Sequence, residues 1–226
     1  MTGRVLARVP ASDELHPGVT AAGLETCRRS RGLATYAVLS LAALCGPVFA
    51  AQAGSPEPSS VRIQEKITRY AIAAGSMDEL RTQLRHDAPS ATGAGAHGRT
   101  RSDIRIAYDM ERTGRGCRLR NLQVRLDIEV TLPDWRPDKA PPKWQRERWD
   151  EALAALERHE ATHRANARAA AEEARSRILD IGFQPDCKSA RNMANRRLRR
   201  AVLKYEFRDR RYDARTRNGA GQGAVL

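Results

Sequence analysis

Apolar residues recur at helical spacing through a long stretch of the chain that contains neither glycine nor proline. This stretch covers residues 144–179 and is dominated by alanine and by long charged side chains, both of which favour helix. Its apolar positions lie three or four residues apart along much of its length, as on one face of a helix: Trp149, Leu153, Leu156, Ala167, Ala170, Ala174 and Ile178. The pattern predicts one long helix with an apolar stripe.

Upstream of this helix, apolar and polar residues alternate, which is typical of strands. Residues 61–72 alternate well enough to predict a first strand. A capping box at residues 76–79 then opens a short helix that is predicted to end near His86. Small residues and glycine in 88–97 predict a loop.

Two further alternating segments predict a β-hairpin beside the long helix. Residues 103–110 and 117–132 alternate apolar and polar side chains, and residues 113–116 supply a glycine-containing turn between them. Prolines then end the second strand and lead into the helix, at positions 133, 137, 141 and 142.

These elements predict an α+β fold: a small antiparallel sheet packed on the long helix, with a short N-terminal helix and a basic C-terminal helical tail. The 226 residues show no internal repeat, and their composition suits one core. We predict an N-terminal region over 1–53, a linker over 54–60, one domain over 61–187 and a tail over 188–226.

The N-terminal region resembles a secretory signal peptide. An uncharged apolar run at 34–50 follows a basic stretch and ends in small residues, which predicts cleavage near Ala50 or Ala53. The basic stretch is long, so a later start, or retention of the segment as a membrane anchor, are the alternatives. Gly46, Pro47 and the short apolar run favour cleavage. The mature protein is then predicted to be secreted or periplasmic, without a transmembrane span.

Two cysteines remain after this predicted cleavage. Cys117 and Cys187 are an even pair without the close spacing of a zinc site, so a disulfide is the default in an oxidising compartment. The alternative is two free thiols in a cytoplasmic protein.

The long helix contains the pattern His-Glu-x-x-His. Residues four apart share a helix face, so His159 and His163 can offer two imidazoles to one zinc ion. Glu160 lies between them, where a carboxylate can serve as the general base of a zinc hydrolase. The alternative is a solvated stretch of a helix rich in arginine and glutamate that matches the pattern by chance.

A catalytic zinc ion needs a third protein ligand, which the motif does not supply. Glu172 and Glu173 lie on the same helix about 13 Å beyond His163 and are predicted to pair with Arg168, Arg175 or Arg177 instead. The candidates for the third ligand are therefore Asp180, Asp186, Asp213 and His97.

A separate catalytic role is open to a tyrosine, since Tyr108 or Tyr212 could polarise a substrate carbonyl.

Several motifs together resemble a bacterial family. They are Gly98-Arg99-Thr100 before a strand, a cysteine opening the next strand, Thr131-Leu132-Pro133-x-Trp135 at its end, a tryptophan in the following helix, His-Glu-x-x-His, and the ending Tyr212 to Gly219. Over roughly residues 61–226 the chain is similar to the predicted secreted zinc-dependent proteases of bacteria, catalogued as domain of unknown function 922.

This resemblance implies roles for particular residues. His159 and His163 would be metal ligands and Glu160 the catalytic base. Because the tail resembles the tail of the family, Asp213 is the preferred third ligand. Asn218 stands where the family often has a histidine.

The charge of the chain suggests a competing function. The formal net charge is +13, and arginines crowd the tail between aromatic residues, as on surfaces that bind nucleic acid or anionic lipid. Export makes nucleic acid an unexpected partner. We therefore predict a secreted zinc-dependent peptidase acting on peptide or protein substrates. The alternatives are a non-catalytic zinc-containing protein that binds anionic envelope polymers or lipid head groups, and another metal-dependent hydrolase.

Overall fold

The computed structural model describes residues 60–87 and 97–226, together with the backbone of residues 4–10. The predicted signal peptide with its cleavage positions, all of the predicted linker except Ser60, and the predicted loop except His97 lie outside the described residues. The elements in chain order are β1 (Arg4–Pro10), β2 (Val61–Ile72), α1 (Met77–Asp87), β3 (Arg99–Thr113), β4 (Gly116–Trp135), α2 (Lys143–Leu179), α3 (Cys187–Thr216) and a 3-10 turn (Ala220–Gln222).

The four strands form one sheet in the order β1-β3-β4-β2. The predicted hairpin is confirmed, since β3 and β4 pair antiparallel from Arg99↔Thr131 to Thr113↔Gly116. The sheet is not purely antiparallel, however, because β2 runs parallel to β4 from Val61↔Val124 to Ile72↔Trp135. Alternation reveals which side chains face the core but not the direction of the partner strand, so this part of the prediction was wrong.

β1 pairs antiparallel with β3 at the opposite edge of the sheet from β2. It lies upstream of the predicted cleavage positions, so a chain cut there would keep the three strands β2, β3 and β4. Among the described residues, Thr100 of β3 makes the hydrogen bond between the sheet and the site described below.

The strand β4 is longer than the alternation predicted. It continues through Pro133 to Trp135, whereas prolines were expected to end it. β3 begins opposite Thr131, so beyond that point β4 pairs only with β2. A proline is tolerated in a strand where one side has no ladder partner.

The main core lies between one face of the sheet and the helices α2 and α3. The strands contribute alternate side chains, and the helices contribute mostly alanines, which let α2 and α3 approach each other and the sheet closely. The largest fully buried members are Tyr108, Ile106, Leu126, Ile178 and Leu198.

A second, smaller core fixes the start of α2 to α1. Trp135 at the end of β4 and Trp149 on α2 have ring centroids 5.9 Å apart. The indole of Trp135 also donates a hydrogen bond to the carbonyl of Ala74 at 2.8 Å. At the start of α1 the predicted capping box is present in part, because the Glu79 amide donates to the Ser76 hydroxyl.

The basic tail forms a single 30-residue helix, α3, that packs along α2. Its first residue is joined to the start of β4 by the predicted disulfide, Cys117–Cys187, with an S–S distance of 2.04 Å. The described residues of 60–226 belong to one compact unit, so the predicted boundary between 187 and 188 falls inside that unit. Among the described residues, we find no helix of the length and apolarity that a bilayer crossing requires.

Candidate metal centre

Helices α2 and α3 bring three potential ligand atoms to one point. His159 and His163 project from one face of α2, as their spacing predicted, and Asp213 projects towards them from α3. The two Nε2 atoms lie 3.2 Å apart. The Asp213 Oδ1 atom lies 3.1 Å from Nε2 of His159 and 2.9 Å from Nε2 of His163.

These three atoms fit one face of a tetrahedral metal site. Ligand atoms around a zinc ion with bond lengths of about 2.0–2.1 Å lie about 3.3 Å from one another. The triangle of Nε2, Nε2 and Oδ1 has sides of 3.2, 3.1 and 2.9 Å. Two imidazoles and a carboxylate are also a donor set that zinc accepts, and they leave a fourth position for water or substrate.

A second carboxylate fixes the orientation of His163. The Nδ1–H of His163 donates to Oδ1 of Asp209 at 3.0 Å, which turns the Nε2 atom towards the cluster. The amide of Asn166 donates to the same oxygen at 2.6 Å and so holds Asp209 in place. A carboxylate behind a ligand histidine is a common supporting arrangement at metal sites.

His159 is oriented by the C-terminal turn. Its Nδ1–H donates to Oε1 of Gln222 at 3.0 Å. The same oxygen accepts a hydrogen bond from the Tyr212 hydroxyl, which in turn accepts one from Thr162, each at 3.1 Å. The ring of Tyr212 stacks on the His159 imidazole with a centroid distance of 4.9 Å. Both histidines therefore present Nε2 to the same point.

The chain reverses sharply after α3 so that Gln222 can reach His159. Arg217, Asn218 and Gly219 all have positive φ, and the Asn218 amide donates to the carbonyl of Asp213. A side chain at Gly219 would be strained at φ 87° and would bring its Cβ to 3.2 Å from Cγ of His159. Asn218 thus contributes to this turn through its backbone. The third atom of the cluster comes from Asp213 and not from position 218.

Glu160 lies next to the cluster and is almost fully buried, at 3 % exposure. Its Oε2 accepts a hydrogen bond from the Thr100 hydroxyl at 2.6 Å. Gly98 packs so closely that a Cβ there would lie 2.7 Å from Oε1. Burial raises the pKa of Glu160, and the Thr100 hydrogen bond and the nearby histidines oppose this rise. A carboxyl with a raised pKa beside a polar cluster is typical of a general base.

The cluster binds a proton strongly when no metal competes for it. Burial acts to lower the pKa of His163, but the hydrogen bonds with Asp209 and Asp213 outweigh it and raise this pKa to about 10. Burial acts to raise the pKa of Asp213, and its contacts with the two histidines reverse this and lower it. Asp213 is therefore a carboxylate at neutral pH, and a metal ion must displace the proton from Nε2 of His163.

The other candidate ligands lie elsewhere. Asp180 is the C-cap of α2, and Asp186 is the N-cap of α3, where its Oδ1 accepts from the Ser189 amide at 2.7 Å. His97 is tied to β2 through its carbonyl, which accepts from the Tyr70 hydroxyl. Tyr108 is a core residue at 1 % exposure. Among the residues that the structure describes, the only group of three or more histidine, cysteine or acidic side chains placed to hold a metal is His159, His163 and Asp213.

The predicted surface role of the two glutamates past the motif is confirmed. Glu172 pairs with Arg175, and Glu173 pairs with Arg177 and with Lys204 of α3. Arg168 instead pairs with Glu65 of β2.

Sequence reasoning missed Asp209, Gln222 and the contact of Thr100 with Glu160. One signal for Asp209 was present, because Asp209 and Asp213 are four residues apart, the same spacing as the two histidines. Two such pairs on neighbouring helices can face each other. Gln222 carried no signal, since its position depends on the reversal after α3.

The fold and the cluster define an α+β protein in which two packed helices assemble a candidate His₂Asp metal centre beside a buried glutamate. The family described as "Bacterial protein of unknown function (DUF922)" matches residues 67–221, and the chain belongs to this family. Comparison with curated proteins and with solved structures gives no match.

Proposed function

We propose that this protein is a zinc-dependent peptidase in which His159, His163 and Asp213 hold the metal and Glu160 is the general base. The observation that carries the proposal is the near-equilateral triangle of two Nε2 atoms and one Oδ1 atom, with sides of 2.9 to 3.2 Å. Both imidazoles have their Nδ1 atoms engaged by acceptors, so both Nε2 atoms face one point, where a cation could bind once it displaces the proton of His163.

When bound, zinc supplies the positive charge that lowers the pKa of water and polarises a carbonyl group. The protein supplies the remaining chemistry. Glu160 accepts a proton from the attacking water as the new carbon–oxygen bond forms. It then gives that proton to the departing amine as the carbon–nitrogen bond breaks, which yields one carboxyl and one amino terminus.

The surroundings of Glu160 suit this exchange of a proton. Gly98 and the Thr100 hydroxyl hold its carboxylate in one position, and burial raises its pKa above the ordinary value, which makes it a stronger base. Tyr212 is less suited to polarise a substrate carbonyl, because its hydroxyl is engaged by Thr162 and Gln222.

The proposal is tested by measuring metal content and hydrolysis on the same purified preparations. We expect about one zinc ion per chain in the wild type and its loss in His163→Ala. The matched control is His86→Ala, which removes an exposed histidine from α1. If the wild type binds no stoichiometric zinc while His163→Ala and His86→Ala behave alike, the metal centre is not formed.

Catalysis is tested separately with Glu160→Gln. This variant should keep zinc but lose at least ~10²-fold in hydrolysis of a peptide pool or an unfolded protein. Glu157→Gln, one turn away and exposed enough to pair with Arg69, should retain activity. A wild type that holds zinc and hydrolyses no peptide, or a Glu160→Gln variant with full activity, would overturn the peptidase assignment.

A further inference from the structure

The side of α3 that faces away from α2 and the sheet combines exposed apolar and exposed basic side chains. We call it the outer face of α3. Its members recur at spacings of three and four residues and therefore share one side of the helix over about 22 Å. They are Arg196, Arg199, Arg200, Leu203, Phe207, Arg210 and Arg211.

The apolar centre of the outer face consists of Leu203 and Phe207. They are four residues apart and are 51 % and 54 % exposed. Most other apolar side chains of α3, such as Leu198 and Val202, are buried against α2 and the sheet. The outer face therefore exposes two neighbouring apolar side chains amid basic ones, the composition of an interfacial amphipathic helix face.

Within the described part of the chain, three of the arginines around this pair form no ion pair that would neutralise them. Among the described residues, Arg199, Arg200 and Arg211 form no salt bridge. The exposed face of α2 differs, because Arg175 and Arg177 pair with glutamates of their own helix. The guanidinium of Arg211 lies over the Phe207 ring at 5.7 Å from its centroid, so charge and apolar surface are presented together.

The acidic residues of this part of α3 are directed elsewhere. Asp213 belongs to the candidate metal centre, and Asp209 contacts the outer nitrogen of His163, Nδ1. Glu206 is half-buried. Glu206 interacts electrostatically with Arg210, so one arginine of the outer face has an acidic neighbour. The outer face still carries an excess of positive charge, in a chain whose formal net charge is +13.

We propose that the outer face of α3 docks onto the surface of an anionic lipid bilayer. The arginines would bind head-group phosphates, and Leu203 and Phe207 would enter the interfacial layer, as the two faces of an interfacial amphipathic helix do. Docking of a second copy through the same face would bring unpaired arginines together, which is unfavourable. An anionic polymer would satisfy the arginines but would leave Leu203 and Phe207 in water.

The docking surface does not depend on the peptidase proposal. Because Asp209 and Asp213 lie on another side of the same helix, docking would hold the metal centre close to the membrane without covering these residues. Vesicle binding can be measured whether or not the protein hydrolyses peptides.

The test is co-sedimentation of the purified full chain with vesicles of phosphatidylglycerol and phosphatidylcholine, compared with vesicles of phosphatidylcholine alone. We expect binding to the anionic vesicles only. Arg199→Gln with Arg200→Gln should lower the partition coefficient about 25-fold, since each arginine near an anionic surface contributes about fivefold. Leu203→Ser with Phe207→Ser should lower it at least about tenfold.

Matched controls remove the same chemistry from other surfaces. Arg62→Gln with Arg158→Gln removes two exposed arginines from β2 and α2, and Trp144→Ser removes a 61 % exposed apolar side chain at the start of α2. Both controls should bind nearly as the wild type does.

The proposal is overturned by equal binding to phosphatidylcholine alone, or by equal losses in the controls. It is also overturned if the Leu203 and Phe207 variant binds vesicles like the wild type, which would indicate a site for an anionic polymer. A third contrary outcome is a wild-type protein that binds no vesicles and forms a dimer that the Leu203 and Phe207 substitutions convert to a monomer.

Discussion

His163 donates its Nδ1–H to Asp209 at 3.0 Å, and this bond decides which ring nitrogen faces the candidate metal centre. Asp209 and Asp213 are one helical turn apart on α3, yet they touch opposite nitrogens of the same imidazole. The Asp209 carboxylate orients the imidazole ring, and the Asp213 carboxylate contacts the Nε2 atom within the cluster. The two carboxylates should therefore differ in how much each contributes to metal binding.

Replacement of the two aspartates should separate these contributions. Asp213→Ala removes a proposed ligand and should abolish stoichiometric zinc binding, whereas Asp209→Ala should retain zinc with about 10- to 100-fold weaker affinity. Competition with a chromophoric chelator measures both. Asp180→Ala, at the C-cap of α2, is the control and should bind as the wild type does. Equal affinity in the Asp213→Ala variant and the wild type would exclude Asp213 as a ligand.

Much of the fold follows from the sequence because its signals are local. The spacing of apolar residues on α2, the alternation in β3 and β4 and the glycine turn between them each depend on a few neighbouring positions. The pairing of the two cysteines was also predictable, since no other cysteine remains after the predicted cleavage. The parallel pairing of β2 with β4 depends on the path of the chain through α1 and was not encoded in alternation.

The candidate site was predictable only where it lies on one helix. The positions of His159, Glu160 and His163 follow from helical geometry alone. Asp213 was preferred because of a family resemblance, and the structure brings it to the cluster. Gln222 reaches His159 only through three consecutive residues with positive φ, a reversal that no local pattern announces.

The ion pairs of Glu65 should make stability depend on pH. Glu65 accepts hydrogen bonds from Arg164 and Arg168 at 2.6 Å each and so links β2 to α2. The hydrogen bond from Arg164 is the main reason that the pKa of Glu65 lies below its ordinary value of 4.5. A carboxyl group whose pKa is lower in the folded than in the unfolded protein stabilises the fold at pH values above its unfolded-state pKa. This contribution is lost as the pH falls through its folded-state pKa.

Glu65→Gln should therefore lower the free energy of unfolding by about 1 kcal/mol at neutral pH, a value discounted for the exposure of the arginines. The difference from the wild type should shrink as pH falls below about 4.5. Urea unfolding at a series of pH values measures it. Glu129→Gln removes a weaker pair with Lys66, at 3.9 Å and more exposed, and should change stability less at every pH.

The disulfide should stabilise the domain through the chain that it closes. Cys117 and Cys187 are separated by 70 residues. Closing such a loop limits the unfolded ensemble and contributes about 4 kcal/mol in the chain-entropy model. The variant in which both cysteines are replaced by alanine should lose stability on that scale in urea unfolding. Thiol labelling of denatured protein without reductant should find neither residue, and two labelled thiols at these positions would contradict the bridge.

Gly98→Ala should test the position of the proposed catalytic base, Glu160, separately from the candidate metal centre. An added Cβ would lie 2.7 Å from Oε1 of Glu160 and 3.0 Å from Cδ1 of Leu156, so the carboxylate or the strand must move. None of the three proposed ligand side chains is among the atoms nearest to that Cβ.

We expect Gly98→Ala to keep one zinc ion per chain but to lose at least about tenfold in peptide hydrolysis, because small displacements of a catalytic group are costly. Gly182→Ala is the control, since a Cβ at that position meets nothing within 4 Å and activity should be unchanged. Loss of zinc in Gly98→Ala would show that β3 supports the ligands as well as Glu160. Full activity with zinc bound would show that the carboxylate position observed beside Gly98 is not the one used in catalysis.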